Sequence, residues 1–275
     1  MSIDNFIPEI WTARLFEGLR KAHVFPGLVN TDYEGEVTQY GDTVRINEIG
    51  AITVRDYTKN NNHSAVDTLS DAQTVLEINQ AKYFNFQIDD IDKAQQKPKL
   101  MDAAMNDAAY RLADEVDQFI ASMHDQAHTT VQETTATADD VIPVLAEVGE
   151  KLNEANVPTL GRWLVVDPSF LSLMVQAEIV SADNYATNID AESTYRAGWV
   201  TRALGFDVYM SNNLKDDGTY THLMAGTRRA ITLAQQIASV EAYRPELRFA
   251  DAVKGLYLYG GVVVDPNALV RVNIS

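Results

Sequence analysis

Between Lys97 and Ala127 the chain reads "KPKLMDAAMNDAAYRLADEVDQFIASMHDQA". Its apolar residues Met101, Met105, Ala108, Leu112, Val116, Phe119, Ile120 and Met123 recur at steps of three and four. An α-helix puts such a set on one face; a strand would scatter it over two. Pro98 suits a first turn, and Asp102 and Asp107 fall in the N-terminal half, where the helix dipole favours negative charge. The spacing predicts a helix over 98–125, roughly 40 Å long at the usual rise per residue. A rod of that length acts as a spine, and the rest of the chain must supply what packs along it.

Two unusual segments precede the spine. In "NFIPEIWTARLFEGLRKAHVFPG" the residues Ile7, Ile10, Trp11, Leu15, Phe16 and Leu19 follow helical spacing, Pro8 suits a helix start and Pro26-Gly27 stops the pattern. An arm bearing Trp and Phe needs a surface, and the pattern fits equally a neighbouring copy of the chain or its own core. Next come two runs of alternating apolar and polar residues. Val44, Ile46, Ile52 and Val54 stand before a polar centre, and Val75, Ile78, Tyr83, Phe84 and Phe86 after it. The centre, "DYTKNNNHSAVDTLSDAQ", has few large apolar residues and cannot fill a core. This predicts a long two-stranded excursion, which gains most of its order by lying on something else.

Beyond the spine the pattern is mixed. "TADDVIPVLAEVGEKLNEANVP" predicts an amphipathic helix opened by an N-cap run and stopped near Asn156 and Pro158. "GRWLVVDPSFLSLMVQ" predicts a buried strand from Trp163 to Val166, a turn at Asp167-Pro168 and a second helix. After "GWVTRALGFDVYMSNNL", the stretch "THLMAGTRRAITLAQQI" reads as an apolar strand running into a helix-like segment, and 240–275 reads as strand-rich. No internal repeat or low-complexity tract interrupts the chain.

At 275 residues, 46% hydrophobic and 22% charged, the chain can bury a sizeable core as one large domain or two smaller ones. It has no cysteine, which excludes disulfides, thiolate metal sites and cysteine nucleophiles and fits a reducing compartment. Neither a secretory leader nor a membrane span is expected from the sequence. The net charge of −17, with no basic cluster larger than a pair such as Arg228-Arg229, predicts at most weak contact with nucleic acid.

Several constellations could carry chemistry. "KYFNFQIDDIDKAQ" (82–95) sets Asp89, Asp90 and Asp92 at the end of an aromatic strand. It lacks the glycine and distal glutamate of a calcium loop, so the acids read as the junction into the spine. His124 and His128, four apart, could share a helical face, but no third ligand is indicated and histidine suits a helix C-terminus. Ser169 and Ser211 lie in no nucleophile elbow, and "GTRRA" is too short and glycine-poor for a phosphate loop. No catalytic, cofactor-binding or metal-binding residue is assigned, and no cofactor is expected.

The order of arm, long hairpin, "KYFNFQIDDIDKAQ", spine, "GWVTRALGFDVYMSNNL" and closing strands resembles the major capsid protein of tailed bacteriophages, an α+β chain with the Hong Kong 97 phage fold. The resemblance covers nearly the whole chain. It is sharpest over 88–95 and over the G-F-D-V-Y-x-S-N-N-L stretch at 205–214.

The resemblance implies an N-terminal arm over 1–35 and an extended loop over 36–85 that overlies an adjacent subunit. It also implies a peripheral domain from 86–130 and 240–275, containing the spine, and an axial domain over 131–239. The implied protein is no enzyme. It is a virion coat protein that self-assembles from pentamers and hexamers into an icosahedral shell around double-stranded DNA, with no membrane involved. Its implied partners are a scaffolding protein, a portal and, optionally, a decoration protein, with assembly in the host bacterial cytoplasm. Some relatives begin with a long charged scaffolding segment that is cleaved off. This chain reaches its arm at once from Met1, which favours a separate scaffold. Lys59 and Asn60 to Asn62 lie in the loop tip, but no partner acid is visible and no crosslink is expected. The alternatives are a cargo-holding bacterial nanocompartment of the same fold and a soluble carboxylate-dependent hydrolase.

Overall fold

The structure, a computed structural model, describes residues 24–33, 40–49, 59, 71–89, 100–133, 137–180, 198–246 and 249–275. The arm helix expected over 7–19, most of the loop tip, and Asp90 and Asp92 lie outside the described residues.

The spine is helix α1, Leu100–Ala121, continued by a 3-10 turn at Ser122–Gln126. The stripe read from the sequence is its buried face: Met105, Ala108, Leu112, Val116 and Ile120 are all buried, as is Met123 in the turn that follows. A second buried row, Ala109 and Ala113, widens that face. Small side chains there let other segments approach the helix closely.

A three-stranded antiparallel sheet packs along the spine in the order β10 (Ile231–Tyr243), β11 (Ala250–Val263), β3 (Gln80–Asp89). Phe84 and Phe86 on β3 stack at 6.0 Å and pack against the core, while Tyr83 and Asn85, which alternate with them, are exposed. Phe119 of α1 meets Tyr259 of β11 edge-on at 5.3 Å. The period-two pattern of "KYFNF" thus sorts one set of side chains toward the spine and the other outward.

The hairpin predicted from alternation is present at its base. β1 (Thr43–Ile49) pairs antiparallel with β2 (Asp71–Glu77), with Val44 opposite Leu76 and Ile46 opposite Thr74. The returning run does not continue straight on, however. It breaks after Ile78, and Tyr83, Phe84 and Phe86 belong to β3, which pairs with β11 and not with β1. Two strands of matching alternation follow one another here, and alternation cannot show which partner each takes. Val44, Ile46, Leu76 and Ile78 bury themselves with Ala234 and Leu258 in a small core of their own, which seats the hairpin base on β10 and β11. Gly260 makes that seat possible, because a Cβ there would stand 2.2 Å from the Glu77 carbonyl oxygen.

The other layer is a seven-stranded mixed sheet. Its order is β4 (Thr129–Glu133), β12 (Leu269–Ile274), β9 (Thr221–Thr227), β5 (Arg162–Val166), β7 (Phe206–Met210), β6 (Trp199–Ala203), with the short β8 (Lys215–Asp216) pairing β9. Every residue of β5 is buried, the apolar run Trp163 to Val166 as expected and Arg162 in addition. Helix α2 (Val141–Glu154) follows a 3-10 turn, Ala138–Asp140, that carries a capping box between Thr137 and Asp140, and it ends before Asn156, whose φ of 55° takes the left-handed conformation asparagine tolerates. Helix α3 (Pro168–Gln176) is capped by Asp167, which accepts from the Ser169 and Phe170 amides.

One sequence expectation is corrected. "THLMAGTRRAITLAQQI" contains no helix. It is β9, a turn at Arg228-Arg229, and the first half of β10. Ile231, Leu233, Ala234 and Ile237 mimic helical spacing because both faces of β10 are covered at this end. A register shift between Ile237 and Ser239 then disturbs the alternation.

Candidate functional site

Of the acid cluster, Asp89 closes β3, opposite Ala250. Among the described residues no group of three or more histidine, aspartate or glutamate side chains is placed to hold a metal ion.

His124 and His128 do not share a helical face. His124 lies in the 3-10 turn after α1, whereas His128 lies beyond it, its amide bonded to the Pro266 carbonyl. The helix stops too early to put both on one face. His124 instead stacks on His222 of β9, ring centroids 4.2 Å apart and planes at 26°. His222 Nδ1 donates to Asn273 Oδ1 at 2.7 Å, and its Nε2 lies 3.5 Å from Asp217. His124 Nδ1 is 3.2 Å from Asp125 Oδ1 without the alignment of a hydrogen bond, and Asp125 pairs with Arg271 at 2.8 Å. Burial first, and His222 second, hold the His124 imidazole below its ordinary pKa. Both rings are buried, so the pair joins the end of the spine to the large sheet and presents no nucleophile or base to solvent.

Ser169 and Ser211 also serve local structure. Ser169 donates its amide to the Asp167 cap, and Ser211 Oγ, buried, accepts the Asn213 amide at 3.2 Å. The Arg228-Arg229 pair occupies the β9–β10 turn and reaches Asp32 at 3.9 Å and Asp265 at 3.8 Å, so its charge is partly met within the chain.

Two features were missed in the sequence. Asp117, in the run "ADEVD", is buried in the spine and accepts the Val24 amide at 3.1 Å and the Phe25 amide at 3.3 Å. The available signal was its phase: Ala109, Ala113, Asp117 and Ile120 follow one another at helical steps on a buried face. Arg162, buried at the start of β5, donates to Pro158 O at 3.0 Å, Val157 O at 2.7 Å and Asn153 Oδ1 at 2.8 Å, closing the end of α2.

What remains open to partners is surface. Tyr83 and Phe249 are about four-fifths exposed, and Leu256, directly opposite Tyr83, is partly exposed on the same side of the small sheet. The turn at Leu204-Gly205 projects a second apolar group: Leu204 is exposed at a φ of 47°. The spine groove beside β3, lined by Tyr83, Phe84, Ala104, Asp107, Arg111 and Glu115, encloses about 470 Å³. Apolar and charged groups alternate along it, and nothing in it converges on a reacting atom.

Among the described residues, a buried core carries sheet faces with exposed apolar side chains. The comparisons carry this further. The family model described as "Phage capsid protein" matches residues 71–272. A chain of Mycobacterium phage Che8 is 32% identical, with 91% of this chain and 90% of that one covered at a TM-score of 0.69. The capsid structure of the cyanophage P-SCSP1u matches at 16% identity, 93% and 89% coverage and a TM-score of 0.70. A virus-like particle from Pyrococcus furiosus matches at 12% identity, 97% and 99% coverage and a TM-score of 0.60. The last two likenesses show the fold alone. No curated protein matches.

The chain belongs to the phage capsid protein family. It is a major capsid protein with the Hong Kong 97 phage fold, a structural protein of the virion and not an enzyme, and it self-assembles into a shell.

Proposed function

We propose that the subunit builds an icosahedral shell from pentamers and hexamers, around double-stranded DNA that it touches only weakly. The observation that carries this is the family match over 71–272, which takes in the hairpin's return strand, the spine and both sheets. In this reading 1–35 form the arm and 36–85 the extended loop. Residues 86–130 and 240–275 form the peripheral domain, and 131–239 the axial domain. The exposed Tyr83, Leu256 and Phe249 face neighbouring subunits. A separate scaffolding protein, a portal and an optional decoration protein complete the assembly, which takes place in the host bacterial cytoplasm. No residue binds a metal or cofactor or performs catalysis.

The net charge of −17 suits a wall that lets DNA slide, since each neutralised phosphate would add salt-sensitive affinity. Expression with the cognate scaffold, followed by negative-stain microscopy, should show closed particles. Recovery of monomers and dimers alone at every scaffold ratio and salt concentration would refute the reading. The loop is tested separately by replacing 56–70 with a short Gly-Ser turn. That polar stretch has too little apolar surface to offset the entropy of ordering it within one subunit. Subunit melting should therefore hold while shells fail to form or break easily, and robust shells from the shortened chain would remove the loop from the intersubunit contacts.

A further inference from the structure

Where the chain enters the folded body it forms a 3-10 turn, Phe25–Gly27, packed on the spine. Phe25 inserts fully into the core edge-on to Trp163, 6.4 Å between centroids. At the head of the turn the Val24 and Phe25 amides donate to the two oxygens of Asp117 at 3.1 and 3.3 Å. Val24 also lies against Gly198, where a Cβ would stand 3.0 Å from its side chain. The N-terminal segment therefore departs from a fixed point on the spine, beside Asp117.

The acids on this stretch of α1 have different partners. Asp107 pairs with Arg111 at 2.8 Å, and Glu115 with Lys82 at 2.6 Å. Asp114, half-buried, accepts the Gln118 side-chain amide at 3.0 Å, and Asp117 accepts the two main-chain amides and a bond from Asn213. Among the described residues the donors on Asp114 and Asp117 are thus neutral. The two acids share one flank of the helix, and Tyr110, 62% exposed, stands one turn before Asp114 on the same flank. The sequence directly before Val24 is the complement of that flank: Arg20, Lys21 and His23 gather three basic side chains in a chain whose net charge is −17. Three residues of extended chain span about 10 Å. Asp114 lies only about 4.5 Å, and Tyr110 about 10 Å, along the helix axis from Asp117. The basic pair can reach both from Val24.

We propose that residues 20–23 form a basic strap along the Tyr110–Asp114 flank of their own spine, with the Arg20-Lys21 pair on the Asp114 carboxylate and its aliphatic stems over the Tyr110 ring. Charge complementarity selects the flank, and the covalent link to Val24 selects the segment that covers it. Long basic side chains suit an aromatic ring beside an acid, because their stems pack on the ring while their heads stay on the charge. The strap sets the direction in which the chain leaves the body toward its N-terminus. Only what the strap carries rests on reading 1–35 as an arm; the contact itself lies within one subunit and precedes assembly.

A charge-reversal cycle on the full-length, unassembled subunit tests this at low salt. Hydrogen exchange at the Val24 and Phe25 amides reports whether the head of the turn stays closed on Asp117. It is measured for Asp114→Lys, for Arg20→Glu with Lys21→Glu, and for all three together. Reversal on either side should speed exchange roughly fivefold, the scale of a half-buried ion pair turned repulsive, and the combined variant should return toward wild type. Salt at about 1 M should shrink these differences. Glu115→Lys is the control, since Glu115 points about 100° around the helix from Asp114, and it should give no rescue. Effects that simply multiply in the combined variant overturn the strap, as does equal rescue by Glu115→Lys. Coupling found in assembled shells but not in the free subunit also overturns it, by assigning the cations to a neighbouring copy, and leaves the shell reading intact. If Asp114→Lys does not fold, Asp114→Asn is cycled against Arg20→Gln with Lys21→Gln, where a coupling of roughly twofold supports the strap and none overturns it.

Discussion

Gly260→Ala offers a stringent test of how the hairpin is seated. The added Cβ would stand 2.2 Å from Glu77 O, 2.9 Å from Ile78 Cα and 3.0 Å from Glu77 C, all backbone atoms that no side-chain rotation can remove. At this position β11 is laddered to β10, Gly260 lying opposite Ala234, so β11 resists yielding. The hairpin could come away altogether. That would expose Val44, Ile46, Leu76 and Ile78, and each such side chain contributes about 1.5–3 kcal/mol when fully buried. Shifting the hairpin base outward by roughly an ångström is cheaper, at the 1–3 kcal/mol typical of overpacking, so the variant should keep its hairpin docked but strained. Gly261→Ala is the control. Its Cβ points to the other face and meets the Met123 methyl at 2.8 Å, the far end of a flexible side chain that can swing aside. Urea unfolding of both purified variants measures the difference. Gly260→Ala should lose about 1–3 kcal/mol and Gly261→Ala distinctly less. Equal losses, or no loss at Gly260, would show that β11 and the hairpin base do not approach as described.

Leu112→Asp places an unpaired charge on the buried stripe of the spine and should cost several kcal/mol, enough to unfold a marginal domain; an unchanged melting temperature would refute the helix phase. Arg162→Lys keeps the charge but loses the forked contact to Val157 O, Pro158 O and Asn153, so it should destabilise by about 1.5–3 kcal/mol in denaturant titration. His124 has a folded pKa below 6.5, so the unfolded chain binds the proton more tightly. The stability it contributes is complete above about 6.5 and is lost as pH falls below that. Melting of wild type against His124→Phe, which keeps a flat ring on His222, should show the shallower acid decline in the variant. Chelation should leave assembled shells intact, as light scattering before and after EDTA would report.

What the sequence made legible was local. The stripe of α1, the capping box of Thr137 and Asp140, and the Asp167-Pro168 cap are each written within a few residues, where periodicity and capping chemistry act directly. The helix-like reading of 231–237 failed because its partner, β11, lies a strand and a turn further on, and two-sided burial erases the alternation that marks a half-exposed strand. The break after Ile78 was hidden for a related reason. β2 and β3 share one alternating pattern while pairing with different strands. His222 could not be linked to His124 from sequence, because only the closure of β9 against the spine's end brings the rings together. Asp117 stands in an acidic run beside Asp114 and Glu115, and only its phase on the Ala109–Ala113 row sets it apart.

Two buried groups on the spine and the turn that follows it, Asp117 and His124, respond to protons in opposite senses. Asp117, raised to about 7, binds its proton more tightly in the folded chain, so the stability linked to it is greatest in acid and declines as pH rises from about 4 through 7. His124, lowered by burial and by His222, resists protonation when folded, so its contribution declines as pH falls below about 6.5. Between those limits the two slopes oppose each other. Asp125 trims the His124 shift while Arg271 and Lys215 deepen it, and Asp114 adds to the Asp117 shift. The single variants separate them: Asp117→Asn should leave a chain that weakens in acid, and His124→Phe one that weakens toward neutral pH. The sites are also distinct in place, one under the turn at Phe25–Gly27 and the other where the spine meets β9. Protons thus act in opposite directions on two separate attachments of the spine.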